Sequence, residues 1–107
     1  MISRYKTYQS IEELHKVVGQ EVTLQGWVYN IRSKGKLHFI ILRDGTGICQ
    51  CVVFKGNVSE ENFQDAKSLT QESSLIIKGT VKQDERAPGG FEIDVNYLEI
   101  KIGRAHV

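Results

Sequence analysis

From Glu21 onward the chain switches to a period of two, and that switch constrains its fold more than any other feature. Val22, Leu24, Gly26 and Val28 alternate with Thr23, Gln25, Trp27 and Tyr29, the pattern of a strand with one buried face. Arg32 to Lys36 follows as a polar turn centred on Gly35. A second strand then runs over Leu37–Arg43, and Asp44-Gly-Thr-Gly47 reads as a tight turn into a third, Ile48–Lys55. These three make an antiparallel meander. Ser74–Gln83 and Phe91–Ile100 read as two further strands, separated by the breaker-rich loop Asp84–Gly90 with the only proline, Pro88.

The period lengthens in two places. Ser10-Ile-Glu-Glu13 has the form of a capping box, with Ile11, Leu14, Val17 and Val18 behind it at helical spacing and Gly19 as the stop. Ser59 caps a second helical stretch in which Phe63, Ala66 and Leu69 recur every three residues. Five strands with a helix between the third and fourth, and a short N-terminal helix, is the layout of an all-β OB-fold barrel. Gly26 and Gly79 suit sharp strand bends in such a barrel. At 107 residues there is room for one core only, and no apolar run approaches the roughly 20 residues of a membrane helix. No signal-peptide pattern follows Arg4 and Lys6, so a cytoplasmic setting is expected.

Net charge is only +1, but it is unevenly spread. Residues 1–56 carry eight Lys/Arg against four Asp/Glu, and residues 57–107 carry six against nine. Arg32, Lys34, Lys36 and Arg43 concentrate the excess within twelve residues. Such a strip is either a footprint for phosphates or a solvated hairpin face. Gln50, set between Cys49 and Cys51 in an apolar strand, calls for a reason. Phe39 shares a face with Leu37 and Ile41, where a phenyl ring either fills the barrel or stacks a base. Trp27 and Tyr29 are read as hairpin packing, and the two cysteines as small core residues. Three scattered histidines give no zinc spacing, and no phosphate-cradling glycine loop or activated nucleophile is present.

Taken in order, Leu24-Gln-Gly-Trp-Val28, Arg32, Gly35-Lys-Leu-x-Phe39, Leu42-Arg-Asp-Gly-Thr-Gly47 and Gln50 resemble the anticodon-binding domain of the class II aspartyl, asparaginyl and lysyl aminoacyl-tRNA synthetases. The Arg-Asp-Gly-Thr-Gly turn is most similar to the asparagine enzymes. Arg86-Ala-Pro-Gly-Gly90 with Phe91-Glu-Ile points the same way, toward their archaeal type. The resemblance covers about Ser10 to Ile100. It implies that Phe39 stacks on the central anticodon base, a uridine, that Gln50 hydrogen-bonds that base, and that Arg32 also contacts the anticodon. Lys34 and Lys36 are candidates for phosphate contact, with a solvated turn as the equal alternative.

The same resemblance implies that the partner is tRNA and that a full-length parent is a homodimeric ligase using ATP and Mg2+ in a catalytic domain beyond this chain. The chain by itself is expected to catalyse nothing and to need no cofactor. Rival readings are an aspartyl-tRNA synthetase domain, a generic single-strand-binding barrel, and a purely structural or protein-binding barrel. Residues 1–100 are assigned to the barrel. The closing residues Lys101–Val107 depart from the family, and Ile-Gly-Arg-Ala-His-Val is the translation of ATC GGA AGA GCA CAC GTC, a widely used sequencing-library adapter. Residues 101–107 are therefore expected to be a non-native tail, in which Arg104 and His106 carry no function.

Overall fold

The computed structural model describes residues 8–102; the expectations for Arg104 and His106 lie outside them. Five strands form a closed barrel in the order β1-β2-β3-β5-β4, with β1 at Glu21–Lys34, β2 at Leu37–Arg43, β3 at Ile48–Phe54, β4 at Ser74–Gln83 and β5 at Phe91–Ile102. The pairs are antiparallel except β3 with β5, whose short parallel contact at Gln50–Val52 closes the cylinder. Helix α1, Glu60–Ser68, lies between β3 and β4 as the layout requires. Ser59 caps it by accepting from the Asn62 amide, and Phe63, Ala66 and Leu69 join the core. No helix among the described residues is long and apolar enough to cross a membrane.

Alternation sorts the side chains. Val22, Leu24 and Val28 of β1, Ile40 and Leu42 of β2, and Cys49, Cys51 and Val53 of β3 point inward and are buried. The two thiols fill core space, their sulfurs 3.9 Å apart, and the Cys49 contact together with burial pushes the Cys51 thiol well up. Gly26 and Gly79 are required by close approach. A Cβ on Gly26 would run into the Arg43 carbonyl oxygen, and one on Gly79 into that of Asp94. At Gly79 the β4–β5 register also shifts, so the bend expected there coincides with a bulge.

Two expectations are corrected. The first concerns the N-terminal helix, which is a 3₁₀ turn over Ile11–Lys16, and Ser10 makes no side-chain cap. Its leading N–H groups are satisfied from the β2–β3 turn instead: Ile11 donates to Asp44 Oδ2 at 2.9 Å and Glu12 to Thr46 Oγ1 at 3.1 Å. Glu13, free of the capping role, pairs with Lys16, and Val18 is exposed. The second concerns the polar turn. β1 does not stop at Tyr29 but runs to Lys34, so Arg32 sits within a strand, directly opposite Phe39.

Candidate nucleic-acid interface

The extension of β1 matters because of a bulge. Between Val28 and Asn30 the register against β2 shifts by one residue, leaving Tyr29 as the extra residue. Without the shift, strict alternation would carry the buried parity of Val22, Leu24 and Val28 on to Arg32 and drive a guanidinium into the core. With it, Ile31 packs against the core and Arg32 turns out to the surface. The cationic segment of β1 thus joins the outer face of β2.

Three cross-strand rows build that outer face. Arg32, Phe39, Val52 and Asp94 make the first, next to the β1–β2 turn. Asn30, Ile41, Gln50, Glu92 and Lys82 make the second, and Trp27, Arg43 and Ile48 the third. Neighbouring rows are two residues, about 7 Å, apart. Arg32, Phe39 and Gln50 therefore stand on one surface in adjoining rows, and none is in the barrel interior. Lys34 and Lys36 are exposed at the turn beyond the first row.

Phe39 is half-buried, with the Arg32 guanidinium 4.5 Å from its ring centroid. That contact steadies the ring and sets a positive charge beside it. Gln50 Nε2 donates to Glu92 Oε1 at 3.2 Å. One donor is used in this bond, so the amide retains a second N–H and its carbonyl oxygen, the complement of a uracil edge. The elements of single-strand recognition, a ring to stack on, an amide to read an edge and cations to hold a backbone, are together here.

Sequence reasoning missed one member of this face, Glu92, and read Arg43 and Tyr29 only in part. Glu92 was hidden because its neighbour across the barrel comes from the parallel β3–β5 contact, which no local pattern announces. Arg43 was seen only as part of a charge strip, whereas its guanidinium lies 5.3 Å from the Trp27 ring and 5.6 Å from the Tyr29 ring. Tyr29 and Trp27 both pack across the β1–β2 hairpin against Arg43, but the bulge leaves Tyr29 48% exposed while Trp27 is half-buried. On β5, away from this face, the Tyr97 phenol is held above its usual range by Glu99 first, with Glu61 and Asp65 adding to it. Among the described residues no group of His, Cys, Asp and Glu is arranged to hold a metal ion.

The model of the tRNA anticodon family, an OB-fold nucleic acid binding domain, matches residues 22–101. The asparagine–tRNA ligase of Chloroflexus aurantiacus is 59% identical over 97 residues, covering 91% of this chain and 22% of that protein. The asparaginyl-tRNA synthetase of Pyrococcus horikoshii, solved with asparaginyl-adenylate, superposes with a TM-score of 0.85 at 46% identity, over 91% of this chain and 23% of that one. An aspartyl-tRNA synthetase from Entamoeba histolytica superposes at 0.81 with 29% identity, over 94% of this chain and 22% of that one. The chain spans about a fifth of the length of these relatives. It belongs to the tRNA anticodon family of OB-fold nucleic acid binding domains.

Proposed function

We propose that this barrel reads the anticodon loop of a tRNA as the anticodon-binding domain of an asparagine–tRNA ligase. The observation that carries the reading is the convergence of Arg32, Phe39 and Gln50 on one outward face, in adjoining rows. Phe39 stacks on the central base, a uridine splayed from the loop, and Gln50 hydrogen-bonds its edge. Arg32 backs the ring and neutralises the adjoining phosphate charge, and Lys34 and Lys36 extend that attraction along the β1–β2 turn. The identity to asparagine–tRNA ligases supports the asparagine assignment over the aspartate one. In the longer protein this domain would select the tRNA, while ATP and Mg2+ would act in a catalytic domain outside this chain. The parent would be a cytoplasmic homodimer. No residue of the barrel is assigned to the nucleotide or the metal.

Two stem-loops test the reading, one with a GUU anticodon and one with the central U changed to C, titrated at low salt. The GUU loop binds more tightly. Phe39→Ala costs roughly 1–3 kcal/mol, about 5- to 150-fold in Kd, and Gln50→Ala removes the preference between the loops. Equal binding of both loops by the unaltered chain would instead make it a sequence-independent single-strand binder.

A further inference from the structure

Resting on that reading, we propose that Arg43, clamped between Trp27 and Tyr29, is a further RNA contact that takes a backbone phosphate beyond the nucleotide stacked on Phe39. Three observations carry this. Arg43 lies on the same outward face of β2 as Phe39, four residues further along, about 13 Å away. A stacked strand rises about 3.4 Å per nucleotide and an unstacked one extends further, so that distance is covered by about two to four nucleotides. A strand stacked on Phe39 and following β2 past Gln50 therefore delivers a phosphate to Arg43.

The second observation is that the charge is uncommitted. Among the described residues Arg43 forms no ion pair, and its Nε is buried without a hydrogen-bond partner. The adjacent acid, Asp44, is occupied with the Ile11 amide and with Thr46. Arg43 as a whole is half-buried, and a planar guanidinium is shaped to meet phosphate oxygens with two parallel N–H groups. The third is the clamp. The aromatic rings of Trp27 and Tyr29 hold the guanidinium on the surface of the sheet, so little side-chain freedom is lost when a phosphate arrives.

The salt dependence of binding to the GUU stem-loop decides the matter. Arg43→Gln lowers the slope of log K against log salt by about 0.7, so that the affinity lost between 50 and 200 mM salt is smaller by roughly threefold. It weakens the GUU and GCU loops alike, leaving the preference between them intact. Phe39→Ala does the opposite, removing affinity for the base with the slope unchanged. Failure of the base reading thus appears in the Phe39 variant and failure of the phosphate contact in the Arg43 variant.

A second measurement pairs RNA and protein changes. Neutral methylphosphonate links are placed singly through the loop, and the unaltered chain and Arg43→Gln are both titrated. One link within about four nucleotides of the central base lowers the slope of the unaltered chain by the same amount and leaves that of Arg43→Gln unchanged. An unchanged slope of the unaltered chain at every such link, or an Arg43→Gln variant that loses thermal stability and keeps its slope, would reduce Arg43 to a packing clamp and overturn the proposal.

Discussion

Gly26 and His38 illustrate how single residues set limits on this barrel. Any Cβ at Gly26 runs first into the backbone of β2, which cannot move aside as the neighbouring Leu42 side chain could. Gly26→Ala is therefore expected to cost about 1–3 kcal/mol, read as a lower urea midpoint with unchanged m-value. His38 lies on the core face of β2, its Nδ1 2.6 Å from Ser33 Oγ and its ring 4.4 Å from that of Phe63. Burial first, and the Lys67 charge second, hold its pKa below 6.5. The unfolded chain, titrating near 6.5, takes the proton more readily, so stability present above that pH is lost as pH falls toward the folded value. Urea unfolding at pH 7.5 and 5.5 checks this: the unaltered chain loses more stability between the two than His38→Gln does. Among the candidate residues, Phe39 was singled out by the resemblance, since alternation alone left open which face of β2 is buried, whereas Gln50 was legible as a polar residue in an apolar strand. Glu92 was not, since its role depends on a partner 42 positions away.

The elements were legible wherever burial alone sets the period. β2 and β4 begin and end at the expected residues, and α1 follows its Ser59 cap. They were illegible where a distant segment overrides a local signal. Ser10 and Glu13 spell a capping box, yet the orphan amides of the first 3₁₀ turn are met by Asp44 and Thr46, more than thirty residues away. Asp44 also accepts from the Thr46 amide and hydroxyl, tying the β2–β3 turn to the N-terminal segment. Asp44→Ala is accordingly expected to cost about 1–2 kcal/mol, the upper part of the range for a lost cap. Hydrogen exchange at the Ile11 and Glu12 amides should accelerate before exchange in β2. The bulge at Tyr29 is the other override: it reverses the parity of β1, and only the pairing with β2 reveals it.

Across the whole molecule, closure of the barrel divides the surface by charge. Arg32, Lys34, Lys36 and Arg43 gather on the β1–β2 side, while Glu61, Asp65 and Glu99 surround Tyr97 on the α1–β5 side. An anionic strand is drawn to the first and repelled from the second. Composition near neutrality conceals this division; the sequence shows its cationic half between Arg32 and Arg43, and placing the strands around the cylinder adds the acidic cluster at Tyr97. The central claim is that the rows through Phe39 and Gln50 form the surface that meets RNA. A residue-resolved NMR titration of the labelled chain with the GUU stem-loop tests it most directly. The account predicts that amide shifts concentrate at Arg32, Phe39, Gln50, Glu92 and the β1–β2 turn, with Lys78, Tyr97 and Glu99 unmoved. Shifts centred on Tyr97 and α1, with the Phe39 and Gln50 rows silent, would contradict it.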